Sequence, residues 1–257
     1  MAVDEVILEA ATAGNAPPTL RLYAWEPACL SLGYAQPFSD VDLPALHAHG
    51  WDLVRRPTGG RAILHTDELT YSVSGPQRDP RLAGGVLASY RAISTALLLA
   101  LQHLGLPAHA DSLPGAAGNE ANGGTNPVCF EAPSNYEITV GGKKLVGSAQ
   151  RRRGEGVLQH GSLPLTGDLT RITNALVFDD EASRQKAAER LLQRATTVET
   201  ALHRPVSWEQ AAQALSSAFA EALNLELAPG ELTPAELIRA KELVAGRFAN
   251  SAWTERV

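Results

Sequence analysis

Apolar and polar positions follow two different rhythms along the chain. Val3, Val6, Ile7 and Ala10 recur at helical spacing and predict a short amphipathic opening helix. TLRLYAW (19–25) and CLSLGY (29–34) read as strands around Pro27. VDLPALHAHG (41–50) predicts a short helix stopped by Gly50. DLVRR, RAILH and ELTYSVS (68–74) read as strands, with PTGG between the first two. Residues 82–104 carry the clearest helical pattern, ending at Gly105, and 111–127 form a loop rich in Gly, Asn and Pro. NYEITV and KKLVGSAQRR flank Gly141-Gly142, the signature of a two-residue type I′ hairpin turn. A second turn at Gly154-Glu155-Gly156 leads into VLQHGSLPL.

The last third changes character. EASRQKAAERLLQRA, SWEQAAQALSSAFAEAL and TPAELIRAKELVAGRFA are helical patterns, with Ser207 and Thr233 as N-caps. The pattern implies an α+β fold: mixed, largely antiparallel sheets flanked by helices, with a helical C-terminal portion over residues 181–257. No internal repeat interrupts it, and 257 residues at 44% hydrophobic content suit a single domain over 1–257.

Charge narrows the partners. A net charge of −6 excludes a nucleic-acid binder for the protein as a whole. Yet Arg55, Arg56, Arg61, Lys143, Lys144, Arg151, Arg152 and Arg153 gather in two segments, and no acid falls between 141 and 153. A local positive face suits an acidic partner or an anionic ligand. Two cysteines make no disulfide framework, so the cytoplasm is the natural compartment. MAVDEVILEA lacks the basic flank of a signal peptide. The longest apolar stretch, ISTALLLALQHLG, is broken by Gln102 and His103, so no membrane span is expected.

The candidate chemistry sits in residues 129–162. Cys129 lies in a loop before the hairpin, and Lys144 follows the hairpin turn. An ammonium group near a thiol stabilises its deprotonated form, the nucleophile that acyl transfer needs. Cys29, inside an apolar strand, reads as a core residue. Strand alternation puts Val146 and Ser148 on the face of Lys144, with Lys143, Leu145 and Gly147 on the other. In RRPTGGRAILH (55–65), Gly59 and Gly60 let the backbone approach a ligand closely, beside Arg55, Arg56 and Arg61. The segment lacks the G-K-[ST] ending and the following helix of a phosphate-binding P-loop. His65 and His160 each punctuate a strand. No His/Cys/Asp cluster has zinc spacing, so no metal is expected.

Together these segments resemble the lipoate and octanoate attachment family, which shares its catalytic fold with biotin–protein ligases. RRPTGGRAILH is similar to the family's arginine- and glycine-rich ligand loop, and KKLVGSAQ to the strand holding its essential lysine, which falls on Lys144. CFEAPSNYE followed by LQHGS resembles the octanoyltransferase branch. The resemblance implies that Cys129 is the acylated thiol and Lys144 its partner. It also implies that Arg56, Gly59, Gly60, Arg61, His65, Gly147, Ser148, Ala149 and His160 bind substrate. The implied reaction moves an octanoyl group from octanoyl-acyl carrier protein to lipoyl domains of 2-oxoacid dehydrogenases and glycine cleavage H protein. It uses no cofactor. The alternatives are an ATP-dependent lipoate–protein ligase, octanoyl transfer between lipoyl-type domains, and a non-catalytic acyl binder.

Overall fold

The computed structural model describes residues 1–111 and 137–257. Helix α1 (Ala2–Ala13) turns an apolar face inward and ends at Gly14, whose left-handed φ of 80° returns its N–H to the carbonyls of Ala10 and Ala11. Nine strands follow among the described residues: β1 (Thr19–Tyr23), β2 (Cys29–Leu32), β3 (Asp52–Arg55), β4 (Ile63–His65), β5 (Glu68–Pro76), β6 (His109–Asp111), β7 (Glu137–Val140), β8 (Lys143–Arg153) and β9 (Gly156–Pro164). Six of them make one sheet in the order β1-β5-β9-β8-β7-β6, and three make a second in the order β3-β2-β4. Every pairing in the larger sheet is antiparallel, while β2 pairs β3 in parallel and β4 antiparallel. The β7–β8 turn forms because Gly141 and Gly142 take φ of 58° and 75°, the paired positive angles of a type I′ turn.

Helices α3 (Val86–His103) and α6 (Trp208–Ala222) cover the larger sheet. Leu97, Leu101, Leu215 and Phe219 pack there with Leu69, Tyr71, Leu145 and Val157. Each such side chain contributes roughly 1.5–3 kcal/mol of burial. The smaller sheet packs through Leu30 and Leu32 onto α2 (Leu43–Ala48), a 3₁₀ segment (Leu169–Ala175) and α4 (Glu181–Arg194). The C-terminal portion is helical as expected: α4, α5 (Val198–Leu202), α6, α7 (Pro234–Leu243), a π-helical turn (Val244–Phe248) and α8 (Ser251–Thr254). Ser207 and Thr233 form full capping boxes with Gln210 and Glu236. Among the described residues no helix is long and apolar enough to cross a membrane.

Three expectations need adjustment. Residues 109–111 form a strand that pairs with β7, so the strand runs one residue into the stretch read as loop. The 3₁₀ segment carried no sequence signal strong enough to be expected, whereas α5 falls in VETALHRPVSW, a stretch whose helical character the family resemblance implies. On β8 the two faces do not sort cleanly: a register shift lies opposite Ile138 and Thr139, and Lys144, Leu145 and Val146 are all buried. Covered on both faces, this part of β8 loses the inside–outside alternation of a half-exposed strand.

Candidate functional site

A pocket opens where the two sheets meet. Arg56, Gly59, Gly60, His65, Gly147, Ser148, Ala149 and His160 all line it, joined by Trp25, Ile63, Thr70, Gly161 and Ser162. Arg61 does not line it, and neither does Lys144. Cys129 lies outside the described residues.

The glycine loop is held from beneath by Arg56. Its guanidinium donates to the carbonyls of Ser31 (2.9 Å), Gly59 (2.9 Å) and Arg61 (2.6 Å), and to Ser31 Oγ at 3.1 Å. Arg61 therefore enters the site through its backbone. Gly33 is required behind the loop, since a Cβ there would stand 1.8 Å from the carbonyl oxygen of Gly60. Arg55 and Arg56 do not form the solvated basic face that their sequence suggested: both are buried and bound to carbonyls.

His160, on β9, pins the loop from the other side through a 2.6 Å bond between Nε2 and Thr58 Oγ1. Burial pushes its imidazole down to about 3, so it is neutral near pH 7. His65, at the end of β4, has both ring nitrogens engaged: Nε2 meets Ser31 Oγ at 2.8 Å and Nδ1 meets Glu68 Oε1 at 2.6 Å. Trp25 stacks on the ring with 4.4 Å between centroids. Glu68 also accepts from Thr70 Oγ1 at 2.5 Å and from Ser162 Oγ. Burial alone would raise its carboxyl, but His65 and these hydrogen bonds hold it below the usual range. Ser31, His65 and Glu68 have the order of a catalytic triad. Ser31, however, has no exposed surface and does not line the pocket, so the array braces His65 as a flat wall.

A second hydrogen-bond chain fixes Ser148. Arg152 Nε, an obligate donor, meets Gln150 Oε1 at 3.2 Å and thereby sets that amide's orientation. Gln150 Nε2 then donates to Gln159 Oε1 (2.9 Å), and Gln159 Nε2 to Tyr71 Oη (3.0 Å). Tyr71 lies 2.7 Å from Ser148 Oγ. Burial pushes the Tyr71 phenol up to about 12, so it keeps its proton and, with Oη accepting from Gln159, can donate that proton to Ser148. The Ser148 hydroxyl proton is left to point elsewhere, and Ser148 lines the pocket.

Lys144 is held apart from this lining. Its Nζ lies 3.0 Å from Glu137 Oε1, and the two side chains are 5% and 16% exposed. Glu137 was missed by the sequence reading, because nothing in the spacing of 137 and 144 announces a pair across an irregular hairpin. Trp25, Thr70, Gly161, Tyr71 and Gln159 were missed for a related reason. The register Thr70↔Ser162, Tyr71↔Gly161 and Ser148↔Gly161 brings Thr70, Tyr71 and Gly161 to the site, while Gln159 and Trp25 reach it through hydrogen bonds to Tyr71 and Thr70. Among the described residues no group of three or more His, Cys, Asp or Glu could hold a metal ion.

The walls are thus glycine backbone, the apolar side chains of Met1, Trp25, Ile63 and Ala149, and hydrogen-bonded polar side chains. Such a slot accepts a slender alkyl chain, with a few polar contacts at fixed places.

Comparison with known proteins gives a consistent picture. An octanoyltransferase LipM of Brevibacillus brevis is 42% identical over 258 residues, covering 100% of this chain and 94% of that protein. The octanoyltransferase LipM of Bacillus subtilis is 35% identical, covering 98% of this chain and 92% of its own. Among solved structures, a bipartite lipoate protein ligase from Thermoplasma acidophilum, described with its E2 lipoyl domain, superposes with a TM-score of 0.81 at 25% identity. That match covers 99% of this chain and 89% of the other. A lipoate-protein ligase A bound with ATP superposes with a TM-score of 0.78 at 26% identity, covering 99% of this chain and 92% of the other. Residues 1–220 match the family model described as the lipoyl protein ligase A/B catalytic domain, and the chain belongs to that family.

Proposed function

We propose that the chain is an octanoyltransferase that takes an octanoyl group from octanoyl-acyl carrier protein onto Cys129 and passes it to a lysine of a lipoyl domain. The observation that carries this reading is the 42% identity to an octanoyltransferase across the whole chain. The largely apolar pocket beside the glycine loop supports it, because an eight-carbon chain needs apolar contact more than polarity.

In the first step the Cys129 thiolate attacks the thioester carbonyl of the donor. A sulfur–carbon bond forms, the donor's sulfur–carbon bond breaks, and the released pantetheine thiolate takes up a proton. One thioester replaces another, so no nucleotide is consumed. In the second step a neutral lysine amine of the acceptor attacks the Cys129 thioester. A carbon–nitrogen bond forms, Cys129 leaves as thiolate, and the proton lost by nitrogen returns to it. Amide formation drives the sequence. Lys144 stabilises the thiolate by charge, and Ser148 donates to the acyl oxygen as negative charge develops there. His65, His160 and the glycine loop shape the channel.

The deciding experiment is intact mass after mixing with octanoyl-acyl carrier protein. An octanoyl adduct that hydroxylamine removes, and that Cys129→Ser abolishes, is the expected result. A second reading, the ATP-dependent ligase, is favoured by the likeness to an ATP-bound ligase structure. Pyrophosphate release from ATP and octanoic acid, with Cys129→Ser still active, would establish it instead.

A further inference from the structure

Arginines from four parts of the chain converge beside the pocket. Glu5 on α1 pairs with Arg247 at 3.1 Å, Arg153 at 3.3 Å and Arg151 at 3.7 Å. Two guanidinium groups stack on the Trp253 ring, that of Arg247 at 3.8 Å and that of Arg256 at 5.0 Å from its centroid. Arg256 also covers the ring of Tyr34 at 4.0 Å. Arg55 completes the group from below: its Nε donates to Thr254 O at 2.8 Å, and its own carbonyl accepts from Trp253 Nε1 at 2.9 Å.

Five guanidinium groups thus share a neighbourhood in which one carboxylate, Glu5, pairs with three. Arg256 has no ion pair among the described residues. Two N–H groups have no acceptor there either: Nη2 of Arg55, whose side chain is fully buried, and Nε of Arg247. Buried donors without acceptors are uncommon and call for an explanation. Cations stacked on aromatic faces still offer their N–H edges to an anion.

The cluster adjoins the pocket along two paths, one through a backbone hydrogen bond and one along β8. Tyr34 donates its backbone N–H to Thr58 O at 2.8 Å, and Thr58 directly precedes the pocket-lining Gly59 and Gly60. Arg151 lies two residues beyond Ala149 on β8, on the same strand face and about 7 Å away. Arg247, Trp253 and Arg256 fall beyond residue 220, where the match to the family's catalytic domain ends.

We propose that this cluster is an anion subsite for the phosphodiester on the pantetheine arm of the thioester donor. The inference rests on the thioester-donor reading above. A guanidinium cluster matches two non-bridging phosphate oxygens in charge and geometry. The aromatic rings keep the cations in place before the donor arrives. The acyl end of the same arm would then run past Thr58 and the glycine loop into the pocket.

The test compares two donors that differ only in the phosphate, octanoyl-pantetheine and octanoyl-4′-phosphopantetheine, in single-turnover acylation of the full chain. The wild type should favour the phosphorylated donor by about tenfold or more in KM, the effect of one charge-assisted contact. Arg256→Gln and Arg247→Gln should each cut that ratio to within about twofold, and Arg256→Lys should restore part of it. Equal use of the two donors by the wild type overturns the proposal while leaving the thioester reading intact. So does a ratio that survives both substitutions while transfer from octanoyl-acyl carrier protein falls, which would assign the cluster to the carrier's protein surface. If neither thioester acylates the chain, the thioester reading fails and takes the subsite with it.

Discussion

Lys144 Nζ and Glu137 Oε1 meet at 3.0 Å across the β7–β8 hairpin, both largely out of solvent. The carboxylate fixes where the cation sits and offsets part of the field it lends to a neighbouring anion. Lys144→Met should therefore have two separable effects. Transfer should fall by about 10²–10⁴, the range of a positioned catalytic group. Stability should fall by about 3 kcal/mol, because Glu137 is left charged and poorly solvated. Lys144→Arg keeps the ion pair and should recover most of the stability but not the rate, since a guanidinium is not an ammonium in shape or hydration. Urea unfolding and single-turnover rates on the same samples decide. A Lys144→Met protein with near wild-type rate would remove Lys144 from the mechanism.

The polarity of the chain ending at Ser148 can be reversed by one atom. In Gln159→Glu the carboxylate cannot donate to Tyr71 Oη, so Tyr71 turns its proton toward residue 159 and Ser148 must donate to Tyr71. Its proton is then lost to the pocket. Gln159→Glu and Ser148→Ala should each lower kcat by about tenfold, the worth of one ordinary hydrogen bond. Tyr71→Phe added to Ser148→Ala should cost nothing more in rate, because both act through one hydroxyl. If the double variant loses as much again, Tyr71 contributes through packing rather than through Ser148.

The parts of the site that were legible in the sequence are those whose signal is local. Gly59-Gly60, the hairpin glycines, the GSA strand and His65 at the end of β4 sit where their motifs put them, and the major helices and strands follow their hydrophobic periods. What the sequence concealed depends on register and on long-range contact. Trp25 finds His65 across 40 positions, and Glu137 finds Lys144 across an irregular hairpin. Arg55 and Arg56 show the limit of reading charge by position. A run of basic residues at a strand end suggests a wet surface, yet both are buried as braces for backbone carbonyls. A charged residue's role depends on whether the fold offers it acceptors, and neighbouring letters do not say.

Gly59 in the loop and Gly33 behind it should behave differently. Gly33→Ala places a methyl group 1.8 Å from Gly60 O, so the loop must shift. That overpacking should cost about 1–3 kcal/mol and raise KM as Gly60 moves. At Gly59 a Cβ meets nothing within 4 Å. Gly59→Ala should stay within about 0.5 kcal/mol of the wild type. Urea midpoints of the two variants give the comparison, and equal destabilisation would mean the loop yields freely behind Gly33.

The two cysteines should separate sharply under alkylation. Burial, with Asp52 nearby, pushes the Cys29 thiol up to about 12, and Cys29 is 4% exposed. At pH 8 iodoacetamide should label the folded protein on the Cys129 peptide alone, and reach Cys29 only in denaturant. Cys29→Ala should keep transfer activity. Labelling of Cys29 at a comparable rate in the folded state would refute its placement in the core.

Acid should destabilise the fold through His160 before most carboxylates respond. Its unfolded imidazole titrates near 6.5, while in the fold burial holds it down to about 3. Above pH 6.5 neither state is protonated and the stabilisation is whole. Between 6.5 and 3 the unfolded chain binds a proton that the folded chain excludes, so stability falls as pH drops, approaching about 1.4 kcal/mol per pH unit. Below about 3 both states carry the proton and this residue adds no further loss. His160→Gln can still bond Thr58 Oγ1 but does not titrate, so its stability should decline less steeply over pH 6.5 to 5. Urea unfolding of both proteins across that interval measures the difference. Coincident slopes would mean that His160 accepts a proton in the folded state, and the neutral pin between the glycine loop and β9 would have to be abandoned.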